Sequence, residues 1–269
     1  MQLLVLVLVA MACTVEAFRP MMGRNVAGLG HVASSGSSGS ALRSAAVDDK
    51  VEVEQYFNGE GFSRWNKIYS ESDEVNSVQL DIRKGHQKTI DKVLGWVEGE
   101  NNKGKTVCDA GCGTGSLALP LATKFKKVFA SDISAAMTKE AGSRAKAEGL
   151  RNLEFKVSDM EKLSGKYDTV TCIDVMIHYP TDAMYGIVNH LGSLSKERLI
   201  LSFAPKNIFY DVLKKIGELF PGKSKTTRAY LHPEADVVKA LKLAGFKIQR
   251  TDMTSTNFYF SRLLEAVRE

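Results

Sequence analysis

Cysteine is scarce in this chain, four in 269 residues, and once the first 17 residues are set aside only Cys108, Cys112 and Cys172 remain. An odd number of thiols, each in or beside an apolar segment, argues against a disulfide framework and for reduced core thiols. No second cysteine pair and no neighbouring histidine completes a zinc site, so no metal is expected. Strong positive charge is also lacking. The formal charge is +5, and residues 1–47 account for +2 of it through three arginines less Glu16, leaving +3 for the remainder. That is too little for a nucleic-acid binder. The apolar run Leu3 to Ala12 is about half the roughly 20 residues that a membrane-spanning helix needs. Finally, no acidic residue occurs between Phe18 and Val47, a stretch that holds Arg19, Arg24 and Arg43 and is rich in Ser, Gly and Ala from Ala33 to Ala46.

These absences divide the chain. A short apolar run followed by the small-residue passage Cys13 to Ala17 reads as a cleaved signal peptide over residues 1–17. Residues 18–47 have the composition of an organellar transit peptide. The two together resemble the bipartite presequence of algae whose plastids lie inside the endomembrane system, so a plastid (chloroplast) destination is expected. Residues 48–269 then suit one domain of ordinary size, its N-terminal arm covering 51–100. In that arm, Gln55 to Tyr69 is dense in aromatics and broken by two glycines, which fits either a helical segment plugged into the core or a lid over a flat apolar ligand. Val75, Val78, Ile82, Ile90, Val93, Leu94 and Val97 fall at helical spacing, and His86 on that stripe reads as a hydrogen-bonded core residue.

The rest of the chain is organised around Val107 to Gly115, an apolar strand running into Gly111, Gly113 and Gly115. Such a turn brings backbone N–H groups against a ligand. The spacing alone also satisfies a loosened dinucleotide fingerprint. Two acids separate the readings. Asp132 closes the next predicted strand, where a carboxylate can accept both ribose hydroxyls of an adenosine. Asp109, two residues before the first glycine, would repel a diphosphate but suits a cationic, phosphate-free ligand with an amino-acid tail. This D-x-G-x-G-x-G pattern followed by a strand-end acid resembles the signature of class I S-adenosylmethionine (SAM) methyltransferases.

Alternating patterns extend the loop into a fold. Strands are predicted at Thr106–Asp109, Lys127–Ser131, Leu153–Val157, Tyr167–Ile173 and Arg198–Phe203, with helices after Thr114, over Ser134–Glu148 and around Met184–Leu194. Phe246–Thr251 and Phe258–Leu264 are joined by too short a link for a crossover and must pair antiparallel. The expected fold class is α/β, a Rossmann-like, mostly parallel sheet closed by an antiparallel C-terminal hairpin, with an N-terminal helical and aromatic arm. Ligands of such sheets sit at the carboxyl ends of the strands. The candidate cofactor residues are therefore Asp109, Gly111, Cys112, Gly113, Gly115, Asp132, Ile133, Asp159, Met160 and Asp174, with Asp159 reading nearly as well as an N-cap. Six Lys/Arg against two acids between Lys206 and His232 make a basic stretch, either a solvated face or a site for an anionic substrate.

Beyond the glycine loop, Tyr56-Phe57-Asn58-Gly59, Val78 to Arg83, Ser131 to Met137, Ile177-His178-Tyr179-Pro180, Leu201 to Lys206 and Thr227 to His232 closely resemble the magnesium-protoporphyrin IX O-methyltransferase family. The resemblance runs from about Glu54 to the C-terminus. It implies esterification of one propionate of magnesium protoporphyrin IX by SAM, in chlorophyll synthesis, with a possible contact to magnesium chelatase and possible peripheral association with plastid membranes. His178 and Tyr56 are the candidate catalytic residues; Phe57, Trp65, Lys206, Arg228 and His232, with Phe62, are candidates for the substrate. Methylation of another anionic or quinone-like molecule, or non-catalytic porphyrin delivery, are the alternatives.

Overall fold

The computed structural model describes residues 50–70, 72–206 and 229–269; the presequence segments 1–17 and 18–47, Arg228 and most of the basic stretch lie outside them. At its centre is β1 (Thr106–Ala110), flanked by β2 (Lys127–Asp132) and β4 (Tyr167–Cys172) and buried along nearly its whole length. With β3 (Leu153–Val157), β5 (Ser195–Phe203), β6 (Phe246–Ser255) and β7 (Phe260–Arg268), these form one seven-stranded sheet in the order β3-β2-β1-β4-β5-β7-β6. Pairing is parallel from β3 through β5, and β7 runs antiparallel to both β5 and β6. The expected architecture is thus observed.

Residues 50–58 form helix α1, followed by α2 (Glu60–Ile68) and the long α3 (Ser77–Val97). α3 begins on a reciprocal capping box in which Asn76 accepts from Gln79 N and the Gln79 side chain accepts from Asn76 N. Its Ile90, Val93 and Val97 bury against Val107, Leu117, Leu121 and Ile200 on one face of the sheet. The other face is covered by α6 (Thr181–Leu194) and α7 (Glu234–Leu243), whose Ile187, Leu191 and Leu241 pack on Val170, Leu199 and Phe246. α5 (Ala135–Ala147) opens on Ser134, whose hydroxyl accepts from Met137 N at 3.1 Å.

The helix expected after Thr114 is α4, Ala118–Ala122; one expectation is corrected. The C-terminal strands are longer than predicted and turn at Thr256–Tyr259, because Asp81 on α3 accepts from Thr256 Oγ1 and Phe258 N, each at 2.7 Å, and pins the turn.

The order of strands puts a reversal between β1 and β4: the chain moves outward through β2 and β3, then returns. In open sheets of this kind the ligand lies at the carboxyl edge beside such a reversal.

Candidate active site

The glycine loop after β1 is held from below. Gly111 N and Cys112 N both donate to Ser131 O at 2.8 Å. Gly111 has φ +81°, and a Cβ there would lie 2.3 Å from Val175 Cγ2, so the loops after β1 and β4 touch only because this residue has no side chain. Gly113, at φ +52°, faces open space, with nothing within 4 Å of where a Cβ would stand. That is the cradle a ligand would fill. Asp132 accepts from Gly113 N at 2.9 Å and Ser134 N at 2.8 Å, tying the loop to the end of β2. Burial raises the Asp132 pKa, against the pull of those two N–H groups.

Asp109 is 2% exposed. Burial pushes its pKa up to about 6, although Thr171 Oγ1 donates to it at 2.7 Å; the nearby Asp132 adds to the rise. A buried carboxylate of this kind is short of a cation. Cys112 is buried with its thiol pKa raised well above the usual range, first by burial and then by Asp132 and Asp109, so it is an inert wall of the loop. Ile133 is half-buried beside Asp132. Asp159 caps the 3-10 turn Met160–Lys162 through Glu161 N and pairs with Lys50 at 3.2 Å, while Met160 is buried in the core cluster beneath.

Asp174, just past β4, takes the left-handed conformation at φ 59°. His86 Nδ1 (2.8 Å) and Tyr259 Oη (2.6 Å) contact its Oδ2, and Ser202 Oγ and Ser261 Oγ its Oδ1, both at 2.9 Å. Burial acts to raise its pKa, but His86 and the hydroxyls of Tyr259 and Ser202 outweigh it and hold the carboxyl below its usual value. With about four lone-pair sites taken, the carboxylate has none left for a ligand. The reading of Asp174 as a direct cofactor contact is therefore corrected: it acts through what it holds.

The aromatic arm crosses this edge and touches three of its loops. Asn58 Oδ1 accepts from Ser134 Oγ (3.0 Å) and Ala136 N (3.1 Å), Ser134 Oγ also lies 2.9 Å from Phe57 O, and Lys50 reaches Asp159 and Glu161. Phe57 meets the His178 ring edge-on at 5.2 Å, and Tyr69 stacks on His86 at 4.3 Å. Trp65 lies against Tyr69 and donates to Tyr56 Oη at 3.3 Å. Phe62 is half-buried on α2. Arg83 and Arg144 fix the far end of the arm by donating to the carbonyls of Lys67, Ile68 and Tyr69. Of the two readings of this segment, the arrangement is that of a cover over the carboxyl edge.

His178 stands at the end of the 3-10 turn Met176–His178, with Tyr230 N donating to Ile177 O beside it at 2.8 Å. Burial lowers its pKa to about 4, and Asp174 only partly restores it, so the ring is neutral at physiological pH. Lys206 is exposed and its N–H donates to His232 O at 2.9 Å. His232 is 0% exposed, its Nε2 lies 2.9 Å from Met176 O, and burial lowers its pKa. The expectation that it offers a cation to a carboxylate is corrected: it is a neutral buttress under the His178 turn. Arg228 lies outside the described residues. Sequence reasoning missed Tyr69, Tyr259, Ser202 and Ser261, and it placed His86 on the core stripe without its partner Asp174; a paired His and Asp cannot be seen in periodicity when 88 residues separate them.

The seven-stranded order with its antiparallel hairpin, the open glycine cradle and the two strand-end acids define a class I SAM-dependent methyltransferase. Residues 107–197 match a methyltransferase domain model, and residues 172–268 match the model of the magnesium-protoporphyrin IX methyltransferase C-terminus. The chain is 59% identical to the chloroplastic magnesium protoporphyrin IX methyltransferase of Arabidopsis thaliana over 81% of this chain and 71% of that one. It is 54% identical to the magnesium-protoporphyrin O-methyltransferase of Synechocystis, over 84% of this chain and all of that one. The crystal structure of the Synechocystis enzyme with bound SAH superposes with a TM-score of 0.75 at 53% identity, covering 82% of this chain and 100% of the other. The chain belongs to the magnesium-protoporphyrin IX methyltransferase family.

Proposed function

We propose that this protein transfers the methyl group of SAM to a propionate carboxylate of magnesium protoporphyrin IX, giving the monomethyl ester in chlorophyll synthesis. The observation that carries the reading is the relationship to the Synechocystis enzyme along that enzyme's whole length, which includes the arm and the His178 turn as well as the cofactor loop. SAM supplies an already activated methyl. A propionate is ionised at neutral pH, its pKa being about 4.3 when unperturbed. The protein's task is then to hold one carboxylate oxygen in line with the methyl and to exclude water.

In this reading Asp132 takes the ribose, Asp109 the cationic tail, and Gly111 to Gly115 the backbone approach, with Ile133 and Asp159 beside the adenine. Phe57, Phe62 and Trp65 form apolar walls for the macrocycle, and Lys206 and Arg228 pair with its carboxylates. His178, neutral beside Phe57, hydrogen-bonds one carboxylate oxygen while the other attacks; Tyr56 on the arm completes the enclosure. His178→Ala is expected to lower kcat by about 10²-fold or less, the low end for a positioned acid–base group, with SAH affinity unchanged. Single-turnover kinetics check this, and wild-type kcat would remove His178 from the reaction. Because its pKa is about 4, no inflection from His178 is expected in kcat between pH 6 and 8.

Residues 1–17 and 18–47 are read as the plastid address of the 48–269 domain, and contact with magnesium chelatase and peripheral membrane association remain part of the proposal. Among the described residues no helix is long and apolar enough to cross a membrane. Titrating the purified chain with magnesium protoporphyrin IX tests the substrate assignment: a saturable shift of the porphyrin absorption bands is expected, and an unchanged spectrum would contradict it.

A further inference from the structure

Between residues 50 and 70 the arm carries three cations, Lys50, Arg64 and Lys67. Lys50 pairs with Asp159 and Glu161, and Lys67 with Glu74. Arg83 and Arg144, which brace the arm from α3 and α5, are taken up by its carbonyls and, for Arg144, by Asn66 and Glu140. Arg64 differs. It is half-buried on α2, and its Nε is out of solvent with no hydrogen-bond partner. Its two terminal nitrogens are not enclosed in the same way, so the charged tip stays open to a partner. Glu60 stands four residues earlier, at the spacing that lets Glu and Arg pair across one helical turn. It is exposed, and Arg64 makes no ion pair with it or with any other acid among the described residues.

The helix fixes where this cation stands. Gly61, Trp65 and Ile68 make the inward stripe of α2, Glu60, Ser63 and Lys67 its exposed back, and Arg64 borders the stripe. Gly61 and Arg64 are three residues apart, which puts their Cβ positions about 5–6 Å from each other. A Cβ on Gly61 would lie 2.5 Å from the Tyr56 ring. The stem of Arg64 thus rises beside that ring, whose hydroxyl takes the Trp65 N–H. Tyr56 leads through Phe57 to His178, with successive ring centroids 5.0 and 5.2 Å apart. An uncompensated guanidinium therefore borders the aromatic cluster that covers the carboxyl edge. A half-buried cation in apolar surroundings suits an anionic ligand group, and a carboxylate meets a guanidinium with two parallel N–H bonds.

We propose that Arg64 is a specificity-determining residue that pairs with the propionate that does not react, and so selects which of the two is presented to His178 and the methyl. The proposal rests on the reading of the substrate as magnesium protoporphyrin IX, whose two propionates sit on neighbouring pyrrole rings. The unreacted one stays ionised throughout, and enclosing it without a cation would be costly. Arg64→Gln keeps a polar side chain and removes the charge. Steady-state kinetics compare this variant with the wild-type chain on magnesium protoporphyrin IX and on an analogue whose second propionate, identified from the wild-type product, is a neutral amide. On the diacid the variant's KM for porphyrin is expected to rise about tenfold or more, as for loss of a hydrogen bond to a charged group, with kcat and the KM for SAM nearly unchanged. On the amide the wild-type chain already shows the raised KM, and the variant adds almost nothing. An equal rise on both porphyrins would mark a structural role, and a rise in the KM for SAM instead would mark a cofactor contact; either overturns the assignment. If Arg64→Gln does not fold, Arg64→Lys takes its place, keeping the charge but not the paired N–H geometry. It should show a smaller rise on the diacid and none on the amide, and equal rises would reject the proposal. A wild-type chain that does not distinguish the diacid from the amide would also reject it. Failure of the wild-type chain to methylate magnesium protoporphyrin IX would reject the substrate reading itself, whereas normal turnover with an indifferent Arg64→Gln would reject only Arg64.

Discussion

Asp132→Ala is expected to weaken SAH binding by about 10- to 150-fold, the equivalent of the roughly 1.5–3 kcal/mol that a hydrogen bond to a charged group contributes. The carboxylate stands at the end of β2, where an adenosine ribose would meet it, and it also accepts from Gly113 N and Ser134 N. Removing it therefore takes away the ribose acceptor and loosens the loop that carries the cradle. Asp132→Asn separates the two effects, since its one remaining carbonyl oxygen can still take a loop N–H. It should melt closer to wild type than Asp132→Ala while still binding SAH weakly. Calorimetric titration decides the matter, and unchanged affinity in Asp132→Ala would place the nucleotide elsewhere.

A larger effect on stability is expected at Asp174. Asp174→Ala leaves the donors of His86, Tyr259, Ser202 and Ser261 facing a void where a buried carboxylate stood. Breaking a buried charged network by removing one partner typically costs about 3–5 kcal/mol. For a chain of this size that corresponds to a fall in Tm of about 6–20 °C. Asp174→Asn should lose less, because asparagine tolerates the left-handed backbone and keeps one acceptor oxygen. The sign with pH follows from a folded-state pKa held below the ordinary value: the stabilisation is present above about pH 3.9 and is lost as pH falls through the lower folded value. Thermal scans of the two variants at neutral pH check the ranking. A drop of under 1 kcal/mol in Asp174→Ala would mean that water satisfies the four donors.

The glycine loop and the strand-end acids of the candidate site were legible in the sequence because they are local. Asp109 to Gly115 is a strand end and a turn, and Asp132 closes the next strand, so spacing along the chain carries the geometry. The sheet was legible for a similar reason: apolar runs alternating with helical stripes leave few topologies. The network around Asp174 was not legible, since it joins α3, the exit of β4, β5 and β7, and no periodicity connects Tyr259 to Gly85. His86 shows the failure most clearly. On the helical stripe it is one more buried residue, and only its distance to Asp174 reveals the network it belongs to. His232 failed in the other direction: its basic neighbours in sequence suggested an anion ligand, while its backbone bridge to Pro205 carries it under the sheet edge and out of solvent.

The arm shows where local pattern stops being decisive. Aromatic density in Gln55 to Tyr69 fits a plug as well as a cover, and what separates them is the set of tertiary hydrogen bonds. Asn58 at the start of α5 and Lys50 at Asp159 lay the helices across the strand ends rather than into the core. Phe57 against His178 then brings the proposed apolar wall to the proposed orienting residue.

The central claim is methyl transfer to a porphyrin carboxylate, and it is tested most directly by incubating the purified chain with methyl-labelled SAM and magnesium protoporphyrin IX and separating the products. The account predicts label in magnesium protoporphyrin monomethyl ester, released by mild alkaline hydrolysis, with one equivalent of SAH formed per ester. SAH formation without labelled porphyrin, or no turnover although both ligands bind, would contradict it.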